Sequence, residues 1–330
     1  MIDTEKIHSF IDKLEREDKF SGTVLIAKDN ETVFERAYGL ASKTFSVPNT
    51  IETKFNLGSL NKIFTKVAIL QLMQESMLEL DDRVEKFLPD YPSDAVKRST
   101  VRHLINHTSG LGHYWTQKFR ASNGNLRTVD DFVRLFQDDL LLFEPGERKE
   151  YSNNGYVLLG KVIEILSGQS YYNYIKDRIY KLAGMHSTDH FELDSLEPDL
   201  ATGYTIHKDD GCCPESREQE LRNNIFTIGS KGSPAGGGFS TVHDMLRFDI
   251  AAAENKLLAP EYSAMIFRPI DGEPDSKLPR LILQAGGAAG VSAFYAKYPY
   301  DGYIAVILSN YDPENTESVE KRIRDEIIGS

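Results

Sequence analysis

Strand-like patterning is concentrated at the two ends of this 330-residue chain, and that placement constrains the fold more than any other feature. Near the start, SGTVLIAKDNETVFERAYGLA (21–41) holds two β-rich runs around Asp29-Asn30, a hairpin signal. Near the end, apolar runs at 279–285, 291–298 and 303–309 are separated by turn chemistry such as Pro299-Tyr300-Asp301-Gly302. They read as an antiparallel meander. Between the two ends the periodicity is helical: strongly apolar over 61–77, then near 82–88, 100–106, 128–139, 154–167 and 171–182. Charged segments with one apolar side predict a helix at each terminus, over 4–17 (Ile7, Phe10, Ile11, Leu14) and 314–328 (Val319, Ile323, Ile327, Ile328). A sheet must therefore join segments from both ends of the chain. The expected class is α/β (α+β): one antiparallel sheet faced by the terminal helices, with an all-helical lobe inserted. We expect a single domain over 1–330, with a sheet lobe from about 1–60 and 267–330 and a helical lobe from about 61–266. Residues 186–230 carry few periodic runs and many Asp, Gly, Pro and Ser, so they are expected as long connections that help to shape a site. Thr241 with Asp244 three residues later has capping-box spacing and predicts a helix over 241–253.

Composition narrows the partners. At 40% hydrophobic and 27% charged, the chain can bury a sizeable core, and a net charge of −12 disfavours nucleic acid or an anionic membrane. The start, MIDTEKIHSFIDKLEREDKFSG, lacks the basic and apolar regions of a secretory signal, and no apolar run reaches the ~20 residues that span a bilayer. The two cysteines, Cys212 and Cys213, are adjacent and would bridge only through a strained ring, so they read as free thiols in a reducing, cytoplasmic setting. Oligomeric state is not legible.

Chemistry concentrates at Ser59-Leu60-Asn61-Lys62. A serine hydroxyl is a weak nucleophile and needs a base within hydrogen-bond reach. Residues three apart on a helix share a face, so Lys62 can supply it. Gly58 permits a sharp turn, and a helix N-terminus stabilises developing negative charge. Desolvation near other cations would lower the Lys62 pKa toward neutrality. The four residues alone are weak evidence: S-x-x-K recurs at Ser318 to Lys321, and taken by themselves they favour a capping serine with a solvated face shared by Lys62 and Lys66. Context adds weight. Tyr151-Ser152-Asn153 lies in FEPGERKEYSNNGYVLLG, where a turn before a helix aims a second proton-transfer group and an amide one way. The copy at Tyr171 to Asn173 sits inside a helix pattern instead. LQAGGAAGVSA (283–293) has the form of a strand edge with small residues, able to present a backbone N–H to an oxyanion.

The ordered set GSLNKIFT, LINHTSGL, FEPGERKEYSNNGYVLLG, GSPAGGGFST and GGAAGVSA resembles the serine β-lactamase and penicillin-binding protein superfamily, in its class C-like branch. The resemblance runs from about residue 20 to about 310. It implies an α/β sheet lobe and a helical lobe with the active site between them. It implies acylation at Ser59 assisted by Lys62 and Tyr151, with Asn153 contacting substrate and an oxyanion hole from the N–H groups of Ser59 and Gly287. One motif departs. Where the family has Lys or His, a small residue and Gly, this chain has Gln284, Ala285 and Gly286. Gln284 can hydrogen-bond but carries no charge, so the cation that helps to hold a substrate carboxylate is missing. The expected activity is hydrolysis of a small neutral ester or amide, with no cofactor. A β-lactamase, D-alanyl-D-alanine carboxypeptidase or D-aminopeptidase is the first alternative, and a non-catalytic binding module that keeps the fold is the second.

Other candidates read as structural. His103 with His107, and His186 with His190, have i,i+4 spacing, but neither pair has the Glu of H-E-x-x-H or an obvious third ligand for zinc. His107 fits a turn buttress better. Gly236-Gly237-Gly238 lacks a phosphate loop's lysine and reads as close backbone packing. Tyr171, Tyr172 and Tyr174 read as helix packing, and Trp115 as either a cleft wall or an ordinary packed aromatic.

Overall fold

The computed structural model describes residues 2–206, 221–270 and 278–329. Helix α1 (Thr4–Arg16) is capped by Asp3, whose side chain accepts the Lys6 N–H, and it buries Ile7, Ile11 and Leu14. The first hairpin follows as β1 (Gly22–Lys28) and β2 (Glu31–Tyr38), with Asp29 and Asn30 both at positive φ, the geometry of a tight hairpin turn. Helix α2 (Lys62–Gln74) is buried along most of its length. After three short helices (Asp94–Arg98, Val101–Ile105 and Gln117–Ser122) come α3 (Val129–Phe136) and α4 (Asn153–Ser167), α3 opened by a reciprocal capping box between Thr128 and Asp131. Then come α5 (Val242–Ala253), the strands β3 (Ile282–Ala288), β4 (Val291–Tyr298) and β5 (Tyr303–Ser309), and α6 (Pro313–Ile328).

The sheet order is β2-β1-β5-β4-β3, antiparallel throughout. Gly22 faces Ser309 and Lys28 faces Tyr303, so β1 from the N-terminal end is zipped along its whole length to the last strand. Both faces of this sheet are covered, and alternation along the strands divides two cores. On one face Val24, Ile26, Phe294 and Ile307 pack with Ile7 and Ile11 of α1 and with Val319 and Ile323 of α6. On the other, Leu25, Ala27, Tyr295, Val306 and Leu308 join the helical layer of α2, α4 and α5. A one-residue slip of β1 would exchange the two sets, so register here is strongly specified.

Several expectations shift in detail. The segment 82–88 forms only a 3-10 turn, Val84–Lys86. Pro89 disfavours helical geometry in the residue before it, and the Val84 N–H bonds instead to the Ser99 carbonyl. Thr241 caps α5 by accepting the Asp244 N–H. The Asp244 carboxylate does not return to close a capping box; it accepts from Ser187 N–H, the Thr188 hydroxyl and Arg247. Within 186–230 the described residues hold a single strand pair, Tyr204–Thr205 with Arg222–Asn223, and Cys212 and Cys213 lie outside the described residues. Among the described residues no helix is long and apolar enough to cross a membrane.

Candidate active site

Ser59 stands on a 3-10 turn, Gly58–Asn61, that feeds directly into α2. Gly58 takes φ +50°, and its N–H donates to Asn56 Oδ1 at 2.8 Å, which bends the chain sharply just before the serine. The α-helix proper begins three residues later than the serine. That delay aids the chemistry, because residues i and i+3 eclipse in a 3-10 turn. Lys62 Nζ lies 3.2 Å from Ser59 Oγ. The copy at Ser318 and Lys321 makes only helix-local contacts, to the Asn315 carbonyl and to Asp325.

Lys62 is buried, contrary to a solvated face. Its amine donates to Ser59 Oγ, to Asn153 Oδ1 at 2.8 Å and to the Ala235 carbonyl. It also sits 4.8 Å from the Tyr151 ring centre and 5.5 Å from that of Tyr156. Burial pushes its pKa down to about 7. At neutral pH much of the amine is therefore uncharged and has a lone pair to take a proton from Ser59. Lys66 is drawn inward too: burial lowers it to about 8, and it donates to the Ile266 carbonyl at 3.2 Å.

Tyr151 precedes Ser152, which caps α4 by accepting the Gly155 N–H at 3.0 Å. Histidines hold this turn. Ser152 N–H donates to His107 Nδ1 at 3.1 Å, and the His107 ring lies 4.6 Å from that of Tyr151, with His113 at 5.8 Å. Burial, helped by the charge of Lys62, lowers the His107 pKa to about 4, so it stays a neutral acceptor. Burial pushes the Tyr151 hydroxyl above its ordinary value, against a hydrogen bond with Ser59 that lowers it. Tyr151 thus keeps its proton across the working pH range. Asn153, the first residue of α4, spends its carbonyl oxygen on Lys62, and the same residue lines the cleft.

The third wall is β3, an edge strand whose outer backbone groups are free of the sheet. A Cβ on Gly286 would meet Leu60 N at 2.6 Å and Ser59 N at 2.8 Å, with the Leu57 carbonyl closer still. Gly287 N in turn lies 2.9 Å from where a Gly58 side chain would begin. The two backbone nitrogens expected to hold an oxyanion are thus brought to one junction. Gly286→Ala is expected to push β3 off the Ser59 turn and lower kcat/KM by ~100-fold, since a shift of about 1 Å costs that much. An unchanged rate of active-serine labelling would show that the strand need not abut the serine.

The fourth wall was not legible as such. The SPAGGGFS loop (233–240) is fastened by Thr65, which donates to the Pro234 carbonyl at 2.7 Å, and by Pro234 itself, which packs where a Gly160 side chain would lie. This fastening delivers the Ala235 carbonyl to Lys62. The triple glycine packs closely, as expected: a Cβ on Gly236 would meet Gly58 O at 2.9 Å. Ser59, Tyr151, Asn153 and Gly287 line one cleft of about 370 Å³ with Trp115 in its wall. Gln284 is not among its lining residues. The pleat puts 284 and 286 on one face, about 7 Å apart along the strand, and Gln284 is half-buried opposite Tyr295. His103 caps its helix and His190 packs between Tyr171 and Tyr172. Among the described residues no group of three metal-binding side chains occurs.

The family model described as Beta-lactamase matches residues 8–329. Penicillin-binding protein 4* of Bacillus subtilis (strain 168) is 30% identical over 94% of this chain and 72% of its own length. Other curated relatives are longer, and the chain spans 62 to 66% of them. A penicillin binding protein from Bacillus halodurans superposes with a TM-score of 0.83 at 27% identity, covering 96% of this chain and 98% of that one. A D-amino acid amidase from Ochrobactrum anthropi SV3 gives 0.81 at 21% identity, covering 98% of each chain, a likeness of fold.

Proposed function

The chain belongs to the beta-lactamase family of serine hydrolases, and from that premise we propose that it cleaves a small neutral ester or amide through an acyl-enzyme on Ser59. The cleft then lies between a sheet lobe (about 1–60 and 267–330) and a helical lobe (about 61–266). One observation carries the reading: a buried amine with its pKa pushed down to about 7 lies 3.2 Å from a hydroxyl on a sharp turn. Neutral Lys62 takes the Ser59 proton as Oγ bonds to the carbonyl carbon. The Ser59 and Gly287 N–H groups hold the oxyanion. Collapse breaks the bond to the leaving group, which leaves with the Tyr151 proton, and Tyr151 is reprotonated by the Lys62 ammonium. Water repeats the sequence on the ester formed and releases the acid. Asn153, anchored by Lys62, is left to orient the substrate through its amide nitrogen. Cys212-Cys213 favours a reducing compartment for this chemistry.

A fluorophosphonate probe tests the assignment. It should add one adduct by intact mass, and peptide mapping should place it on Ser59. An adduct on another residue, or none, counts against the reading.

The curated relative named as a penicillin-binding protein motivates a second reading, in which penicillins acylate Ser59. The uncharged Gln284 argues that such acylation is slow. Gln284→Lys should speed penicilloyl adduct formation by ~10-fold, the worth of one charge-assisted hydrogen bond. An equal rate in both proteins would remove the missing cation as the cause.

A further inference from the structure

Building on the Ser59 assignment, we propose that the acyl group this enzyme accepts is apolar, uncharged and bulkier than acetyl, and that the aromatic wall around Trp115 holds it. The cleft of about 370 Å³ is far roomier than an acetyl group needs, and aromatic side chains line part of it. Trp115 stacks on Tyr114 with ring centres 5.4 Å apart and meets Phe119 at 4.6 Å, and Tyr114 meets Phe132 at 5.2 Å. Three of these four are buried, which fixes the wall, while Trp115, also lining the cleft, stays 43% exposed. A rigid aromatic left uncovered inside a concave site is what an apolar ligand covers. Leu193 and Ile228 contribute to the same lining. Phe226, next in sequence to the cleft-lining Thr227, is 81% exposed.

Charge points the same way. Among the described residues Lys231 is the one charged side chain lining the cleft. Its amine is already 3.2 Å from Glu192 and 4.4 Å over the Tyr172 ring. Glu192 also accepts from Arg127, whose guanidinium reaches Asp194 at 2.6 Å. The two cations and two carboxylates match, so no fixed charge is left over for a substrate carboxylate or ammonium. The leaving group must depart beside Tyr151, whose ring packs against His107 and His113. The apolar recess is assigned to the acyl side.

A series of p-nitrophenyl esters keeps the leaving group constant and tests this. Corrected for uncatalysed rates, kcat/KM for the hexanoate and phenylacetate should exceed that for the acetate by ~30-fold or more. The negatively charged glutarate monoester should fall at or below the acetate. Trp115→Ala should cut the phenylacetate-to-acetate ratio by ~10-fold, chiefly through KM. Should that variant lose its fold by circular dichroism, Leu193→Ala carries the same test. A flat profile, or preference for the glutarate, with Ser59 still labelled by fluorophosphonate overturns the acyl pocket and spares the nucleophile. No turnover and no label overturn the Ser59 assignment and the pocket with it.

Discussion

Ser59→Ala is expected to lower kcat/KM for p-nitrophenyl esters by ~10⁴-fold or more and to abolish fluorophosphonate labelling. On the proposed mechanism the whole acyl path runs through one oxygen, and no other hydroxyl in the cleft stands 3.2 Å from a buried amine among the described residues. Only the contact with Lys62 and the hydrogen bond with Tyr151 are lost, so the fold should survive, with Tm within ~3 °C of wild type. A folded variant that still turned over esters at more than about a hundredth of the wild-type rate would remove Ser59 from the mechanism.

Replacing Lys62 with Met should separate activity from stability. Loss of a general base costs ~10²–10⁴-fold in rate. In the wild type, kcat/KM should rise with pH and level off above about 7, as Lys62 loses its proton. That limb should vanish in the residual activity of the variant. The substitution itself moves stability the opposite way from activity. An unfolded lysine titrates near 10.4, so between about 7 and that value the unfolded chain binds more protons than the native one. Native stability therefore climbs as pH rises through that window and is flat below it. Lys62→Met removes the buried amine and its penalty, so Tm at pH 7 should rise by ~2–5 °C and the slope should flatten. Unchanged Tm and an intact acid limb would together show that the amine is not the titrating base.

The parts of this fold that were readable in sequence are those whose pattern is local. The hairpin announced itself because Asp29 and Asn30 accept positive φ at little cost. The terminal helices showed their apolar stripes, and the meander its turns. The site was readable where a motif sets its own geometry, as Ser59 and Lys62 do on one turn. Contacts made through the backbone left no such mark. Any residue at 235 offers a carbonyl, so its approach to Lys62 depends on Pro234 settling against Gly160. His107 and His113 became neighbours of Tyr151 only because two separated loops meet. The 3-10 turn under Ser59 and the inward draw of Lys66 are likewise decided by packing, since composition favours an exposed helix face. Gln284 was placed correctly on a strand, but its distance along the pleat from the serine was not legible.

The zipper between β1 and β5 has a consequence for how the protein is made. As the chain leaves the ribosome, Ser59 and Lys62 emerge more than 200 residues ahead of Gly286 and Gly287 and of the strand that pairs with β1. Until then β1 presents an unpaired edge beside an unfinished nucleophile. On the proposed mechanism, catalytic competence thus waits for β3 and β5: a product cut short before them can contain the serine, its lysine and its tyrosine and still lack the Gly287 N–H that would help to hold a tetrahedral intermediate.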